Sequence, residues 1–336
     1  MCFRARLSHF AFPILAVFLA ACAPRGPLLE LPSPPDAAIA PLFVASVRAP
    51  GRGGEPGPNR ADRLTYSRMD VSIPVERAAG SVTFATSPET GSTGFSLAAQ
   101  ESYGSRDAFR RAVSSALREE PRQGRDVTLY VHGFNNTYAE GVARLAQLTH
   151  DLSLPGVGVH FSWASAANPL GYAYDSDSTL VARDRLEGII NDLSGVGAQN
   201  VTIVAHSMGA FLVMETLRQM AIAEPGSVSR RVDAIVLVSP DIDIDVFRAQ
   251  AQRIGTLPDD FIIFSSRRDR ALALSARLTG QTERLGTIAD PARIGDLRVT
   301  IIDVTAFSSG LGHFAPGSSP TLLRILSDIA TLDEAF

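Results

Sequence analysis

Residues 201–210 have the sequence VTIVAHSMGA, which is typical of a strand, a tight turn and the start of a helix. Its first five residues are apolar or β-branched, as in a buried strand, and a helical pattern begins at residue 208. Ser207 stands at the junction, with the small residues Ala205 and Gly209 two positions away on either side. This spacing matches the nucleophile elbow Gly-x-Ser-x-Gly, with alanine replacing the first glycine. The tight turn needs small neighbours and exposes the serine hydroxyl above the sheet, so Ser207 is the candidate nucleophile.

The chain around the elbow alternates between strand and helix patterns. Apolar runs predict strands at 127–131, 157–161, 201–205, 234–238, 261–264 and 299–304. Helical spacing predicts helices at 105–120, 138–152, 179–193, 208–223, 244–254, 271–278 and 321–332. Such alternation predicts an α/β fold with a mostly parallel central sheet and helices on both faces. Two earlier runs, 41–47 and 64–73, predict an antiparallel strand pair at the N-terminal edge.

Chain order selects the histidine that would act with Ser207. In this architecture the nucleophile comes first, then an acid, then the histidine. His206 lies inside the elbow, directly before Ser207. The single histidine after Ser207 is His313, in a glycine-containing loop after the last predicted strand. A loop there can bring the imidazole to the serine hydroxyl, so His313 is the predicted catalytic base.

Two acids compete to orient that imidazole. Asp269 ends the loop after the strand at 261–264, where the orienting acid usually lies, although it could also cap the next helix. Asp241 follows the preceding strand, as do Asp243 and Asp245, and these three also suit the start of the helix at 244. Position favours Asp269 as the catalytic acid, with Asp241 as the alternative and Asp303 as a weaker choice.

The oxyanion donors are expected from two loops. Met208 N–H follows the nucleophile at a helix N-terminus, and the loop after the strand at 127–131 supplies a second N–H, assigned to Phe134 or its neighbour. His132 precedes Ser207 in the chain, so we expect it to pack that loop. Asn135 and Trp163, each just after a strand, are candidate substrate contacts, and simple packing is the alternative for Trp163.

Composition excludes several mechanisms. All 31 basic side chains are arginine, and the absence of lysine rules out lysine Schiff bases, Walker-type phosphate loops and Ser-Lys dyads. The net charge of −4, with no run of like charges, disfavours nucleic acid as a partner. No cysteine or histidine spacing suggests a metal, and no cofactor is expected.

The N-terminus is typical of a secretory signal. Residues 1–21 combine a short basic start with an apolar stretch, and small residues lead to Cys22. Leu-Ala-Ala-Cys at 19–22 resembles the bacterial lipoprotein box, which predicts lipidation of Cys22; a plain secretory signal is the alternative. We therefore predict a signal peptide at 1–21, a proline-rich tether at 22–40 and one domain at 41–336. The expected location is the bacterial cell envelope, anchored in the membrane and facing the periplasm or in the outer membrane.

Taken together, these motifs resemble a known family. The lipoprotein box, His-Gly-Phe-Asn at 132–135, Phe-Ser-Trp at 161–163, Ala-His-Ser-Met-Gly at 205–209 and the Asp269 and His313 loops look like a bacterial, esterase- or lipase-like α/β-hydrolase family of uncharacterised function. The resemblance implies the α/β-hydrolase fold and a serine hydrolase that cleaves an ester, thioester or related acyl bond on a small-molecule or lipid substrate. An acyltransferase with the same three residues, or a non-catalytic binding lipoprotein, are the alternatives.

Overall fold

The computed structural model describes residues 25–51, 54–280, 283–307 and 313–324. The predicted signal peptide, the predicted lipidation site Cys22 and most of the helix predicted at 321–332 lie outside these residues. Within the described part of the chain, no helix is both long enough and apolar enough to cross a bilayer.

A nine-stranded sheet forms the centre of the domain. Its strands are β1 (Ala38–Pro50), β2 (Pro56–Ile73), β3 (Ser96–Tyr103), β4 (Val127–Val131), β5 (Val157–Ser162), β6 (Val201–His206), β7 (Ala234–Val238), β8 (Asp260–Ser265) and β9 (Thr300–Asp303). Their spatial order is β3-β2-β1-β5-β4-β6-β7-β8-β9, and every neighbouring pair from β1 to β9 is parallel. Since the carboxyl ends of parallel strands share one edge of a sheet, the loops after β4 to β9 meet there.

The helices cover both faces of this sheet, as the alternating pattern predicts. They are α1 (Arg106–Glu119), α2 (Tyr138–Asp151), α3 (Tyr172–Leu193), α4 (Met208–Ala223), α5 (Ser227–Arg231), α6 (Ile244–Ile254), α7 (Arg270–Leu278) and α8 (Ala315–Ser318). Successive residues of β4 face opposite layers: Leu129 packs in the core with Leu212 of α4, whereas Tyr130 packs with Val142 of α2. The predicted fold class is confirmed.

The antiparallel edge is larger than the sequence indicates. β1 and β2 pair antiparallel as predicted, and β3 adds a third antiparallel strand outside β2. No strand is predicted at 96–103, because its outer half, Gln100-Glu101-Ser102, is polar and exposed. An edge strand with one free side does not need the apolar run that marks a buried strand.

The segment predicted as a tether packs on the domain from residue 25 onward. Leu28 is buried among the core side chains, and the Leu31 N–H donates to the Leu97 carbonyl at 3.0 Å. The Leu97 N–H in turn donates to the Leu29 carbonyl at 2.8 Å. Prolines prevent a helix here but allow an extended chain beside β3, so the ordered domain begins well before residue 41.

Candidate active site

The turn at Ser207 has the backbone geometry of a nucleophile elbow. Its φ of 53° and ψ of −122° lie in a region that residues with a side chain rarely adopt. The turn is held from β7, because the Ser207 N–H donates to the Val238 carbonyl at 3.0 Å and the Asp241 N–H donates to the Ser207 carbonyl at 3.2 Å. A Cβ at Gly209 would lie 2.3 Å from the His132 carbonyl oxygen, which explains the small residue there.

Three predicted residues come together in one hydrogen-bonded chain. The Ser207 Oγ lies 2.9 Å from His313 Nε2, and His313 Nδ1 lies 2.8 Å from the Asp269 Oδ2. Because the carboxylate accepts a hydrogen bond from Nδ1–H, the imidazole keeps its proton on Nδ1 and Nε2 is free to take the serine proton. The Asp269 side chain is wholly buried and the His313 side chain is 23% exposed. This is the relative placement that a Ser-His-Asp triad requires.

Asp269 also begins α7. Its other oxygen, Oδ1, accepts the Leu272 N–H at 3.0 Å. The two roles foreseen for this residue are therefore compatible, since one carboxylate oxygen caps the helix while the other faces His313. A carboxylate held by a helix N-terminus has a fixed direction, and that fixes the imidazole as well.

The surroundings of His313 favour its protonated form. Burial lowers the pKa of His313, but the charge of the Asp269 carboxylate and its hydrogen bond raise that pKa by more, and the net shift is upward. The charge of Asp241 adds to the upward shift. An imidazole of raised pKa is a stronger base toward the serine hydroxyl.

The alternative acid Asp241 lies in a different contact. Its carboxylate accepts hydrogen bonds from the Arg284 Nε–H at 2.6 Å, the Ser275 hydroxyl at 2.7 Å and the Tyr172 hydroxyl at 3.1 Å. The side chains of Asp241 and Arg284 are both almost fully buried. Asp241 therefore neutralises a buried arginine, and the carboxylate that meets His313 is that of Asp269.

The two segments that carry the predicted oxyanion amides lie beside the nucleophile. Met208 is the first residue of α4, so its N–H cannot bond within the helix. Phe134 follows Gly133, where a Cβ would lie 2.8 Å from the Ser207 Cβ. The β4 loop thus passes directly beside Ser207, and the Phe134 ring packs edge-on against Tyr172.

Sequence reasoning missed the buried arginine that holds this loop. Arg48 of β1 is 2% exposed; its guanidinium donates to the Asn136 carbonyl at 2.9 Å, the Ser165 carbonyl at 3.0 Å and the Ser162 hydroxyl at 2.9 Å. Burial lowers the pKa of Arg48 to about 10, and the charge of Asp175 opposes that shift. The available signal was a single arginine near the end of an otherwise apolar strand run, VASVRAP.

Asp175 in α3 fixes the same loop from the other side. Its carboxylate accepts the Asn135 N–H at 3.2 Å, the Ala166 N–H at 2.6 Å and the Ser165 hydroxyl at 2.6 Å. Burial raises the pKa of Asp175. Arg48 and Asp175 thereby join the loops after β4 and β5 into one preorganised unit, which is what a rigid oxyanion site needs.

The two predicted substrate contacts, Trp163 and Asn135, are both occupied by contacts within the chain. Trp163 is fully buried, stacks on His132 at 4.9 Å and donates its indole N–H to the His132 carbonyl at 2.7 Å. It therefore packs beneath the loop and reaches no substrate surface. The Asn135 side chain accepts from Arg25, so it is engaged by the N-terminal segment. Burial lowers the pKa of His132 well below its usual range, in keeping with a packing role.

His206 holds the backbone of His313 in place, a role that was not predicted from the sequence. Its Nε2 lies 3.0 Å from the His313 carbonyl oxygen, and its ring packs against Phe314 at 4.6 Å between centroids. Burial holds the pKa of His206 well below its usual range, so the neutral ring donates this hydrogen bond. It fixes the backbone of the residue whose imidazole meets Ser207.

We expect His206→Phe to lower kcat/KM about tenfold, because the aromatic packing remains while one buried hydrogen bond to the His313 loop is lost. Steady-state kinetics on a nitrophenyl ester would measure this, and the thermal unfolding midpoint of the variant would show whether the fold is retained. An unchanged kcat/KM would show that His206 does not position His313.

The elbow at the carboxyl edge of a mostly parallel sheet, with a histidine beyond the last strand, defines the α/β-hydrolase fold. The chain belongs to the family described as alpha/beta hydrolase of unknown function (DUF900), whose model matches residues 105–328. The strands β1 to β3 precede the matched region.

Several solved hydrolases are similar in structure at low sequence identity. A predicted CIB-like hydrolase from Thermoplasma acidophilum is 15% identical, with 88% of this chain and 98% of that chain covered and a TM-score of 0.40. The Pyrobaculum calidifontis esterase is 13% identical, with coverages of 95% and 88% and a TM-score of 0.37. Carboxyl esterase 2 from Tuber melanosporum is 12% identical, with coverages of 95% and 98% and a TM-score of 0.39. The comparison with curated proteins gives no match.

Proposed function

We propose that the protein is a serine hydrolase that cleaves an ester, thioester or related acyl bond through Ser207, His313 and Asp269. The observation that carries the proposal is the pair of hydrogen bonds, 2.9 Å and 2.8 Å, that links these three side chains at a strained elbow. A packing role would not require a serine in a positive-φ conformation aimed at an imidazole.

The reaction proceeds in two acyl transfers. His313 Nε2 takes the Ser207 proton as Oγ bonds to the acyl carbon. The resulting oxyanion accepts hydrogen bonds from the backbone N–H groups of Phe134 and Met208. The protonated imidazole then gives its proton to the leaving oxygen or sulfur, and the bond to that atom breaks. Water attacks the acyl-enzyme with His313 as base, which releases the acid and restores Ser207.

A fluorophosphonate probe tests this proposal directly, because it labels only an activated serine. We expect the wild-type protein to be labelled and Ser207→Ala to remain unlabelled, as read by mass spectrometry of the intact chain. Labelling at another serine, or none on folded wild-type protein, would contradict the proposal. Transfer of the acyl group to an added alcohol, measured against hydrolysis, would identify an acyltransferase instead.

The raised pKa of His313 predicts the direction of the pH profile. The base must be neutral, so kcat/KM should fall toward acid pH, with a midpoint above the ordinary histidine value. In Asp269→Asn the carboxylate that raises this pKa is gone, and the acid limb should move to lower pH. Rate profiles of both proteins on one nitrophenyl ester measure the shift; a limb that moves to higher pH would contradict the assignment.

We also propose that the chain is a lipoprotein of the bacterial cell envelope, acylated at Cys22. The apolar segment ending in Leu-Ala-Ala-Cys supports this proposal. Two or three acyl chains would hold the protein stably on a membrane. Radiolabelled palmitate should enter the wild-type chain and not Cys22→Ser; equal incorporation into both would exclude acylation at Cys22.

A further inference from the structure

Helix α7 carries an unusual outward face. Its inward side chains Leu272, Ser275 and Ala276 are buried against the domain. Leu274 and Leu278, one turn apart, point away from the core and are 39% and 64% exposed. A soluble surface normally places charged or polar residues at such positions.

Three exposed arginines surround these leucines: Arg268, Arg270 and Arg277. None of them forms an ion pair with any residue that the structure describes, whereas twelve other arginines of the described residues do. The protein as a whole is acidic. An unpaired basic cluster mixed with exposed leucine is the composition of surfaces that bind anionic bilayers.

This face adjoins the candidate active site. Arg268 and Arg270 flank Asp269 in the chain, and Ser275 in the middle of α7 donates to Asp241 at the end of β7. Helix α7 therefore lies across the carboxyl edge of the sheet. The Ser275 hydroxyl also lies 3.0 Å from the Tyr172 hydroxyl.

Tyr172 connects this helix to another exposed apolar side chain. Leu170, two residues before Tyr172, is 87% exposed, the largest exposure among the large apolar side chains of the described residues. We call Leu170, Arg268, Arg270, Leu274, Arg277 and Leu278 together the docking face.

The N-terminal chain enters at the same edge. The Arg25 guanidinium donates to the Asn135 carbonyl at 3.0 Å and also to the carbonyl of Ala167. Asn135 adjoins the proposed oxyanion donor, and Ala167 lies three residues before Leu170. Only two residues separate Arg25 from Cys22, so a lipid on Cys22 would tether the chain close to this edge.

We propose that the docking face rests on an anionic phospholipid bilayer, so that the edge carrying Ser207 and His313 faces the membrane. The leucines enter the headgroup region and the arginines meet lipid phosphates. It follows that the substrate is an acyl lipid presented by the membrane, a step that rests on the proposed hydrolase function. The docking itself requires no catalysis.

Tryptophan emission tests the docking, since Trp163 is the single tryptophan and is fully buried. The full chain carrying Leu278→Trp is mixed with phosphatidylcholine–phosphatidylglycerol vesicles whose acyl chains are brominated. Ile222→Trp is the matched control, because Ile222 is 45% exposed at the far end of α4, about 22 Å along the helix from Ser207. Bromine should quench the added emission of Leu278→Trp and leave that of Ile222→Trp unchanged.

Replacing Arg268, Arg270 and Arg277 by glutamine should bring the quenching down to the control level. Each arginine near an anionic surface shifts the docking equilibrium about fivefold, so the three together shift it about 100-fold. Equal or absent quenching at both tryptophan positions would overturn the proposal. So would a dimer in light scattering that dissociates on these substitutions, which would assign the face to a second copy of the chain.

The docking proposal and the hydrolase proposal can each be overturned independently of the other. Leu278→Trp combined with Ser207→Ala should be quenched as strongly as Leu278→Trp alone. Loss of quenching with intact fluorophosphonate labelling would overturn the docking alone. Quenching without labelling would leave the docking intact and overturn the hydrolase.

Discussion

Replacement of Ser207 by alanine is expected to lower turnover about 10⁶-fold. The acyl-enzyme path is removed entirely, because no other hydroxyl lies against His313 Nε2 among the described residues. The oxyanion amides remain, so a small residual rate over water is expected. Single-turnover kinetics on a nitrophenyl ester, with no burst of nitrophenol from the variant, is the measurement.

Ser239→Ala is the matched control for this prediction. Ser239 also ends a buried strand, β7, is itself buried and has a positive φ of 46°. It thus shares a positive φ with Ser207 without the contact to His313, and we expect its substitution to leave turnover within about threefold of wild type. A comparable loss in both variants would mean that the elbow backbone, and not the Ser207 hydroxyl, limits activity.

Replacement of Asp269 by asparagine is expected to lower kcat about 10⁴-fold. The amide can donate to Nδ1, which turns the imidazole into the wrong tautomer, and it no longer stabilises the imidazolium. Its remaining oxygen can still cap α7, so the fold should persist, as circular dichroism would show. Kinetics of the purified variant measures the effect; a loss below about tenfold would place the triad acid elsewhere.

Asp241→Asn should have the opposite balance of effects. It removes the charge of one partner in the buried ion pair with Arg284, and we expect the free energy of unfolding to fall by about 3 kcal/mol. Turnover should change far less than in Asp269→Asn, because the Asp241 side chain faces Arg284 and Ser275. Denaturant titration and kinetics on the same two variants separate the roles. A larger drop in turnover for Asp241→Asn would reverse the assignment of the acid.

The sequence allowed the parallel sheet, and the meeting of Ser207, His313 and Asp269, to be predicted, because both depend on local patterns and chain order. Strand β4 and helices α4 and α6 have the predicted bounds, since a buried strand or an amphipathic helix is marked by its own side chains. His313 could be chosen because a single histidine follows the elbow. The elbow motif itself explains why Ser207 adopts a strained turn.

Contacts between distant segments could not be predicted. Arg48 binds groups that lie about a hundred residues further along the chain, and nothing near it in sequence indicates those partners. The N-terminal turns of α3, from Tyr172 to Ser178, are polar because Asp175 bonds to the loop after β5 and Ser178 bonds to Arg60 of β2, instead of packing in the apolar core. The apolar spacing that indicates a helix does not include such inward polar residues. The sequence therefore predicts that α3 starts only at residue 179.

The position of β1 has a consequence for how the chain folds. β1 lies between β2 and β5, so one of its edges stays unpaired until the segment from Pro50 to Val157 has been made and β5 has formed. During that interval the apolar run of β1 is an open template for strands of other chains. Early folding of the β1–β2 hairpin is therefore the stage most exposed to aggregation, and chain release before β5 is complete would leave a species prone to cross-chain pairing.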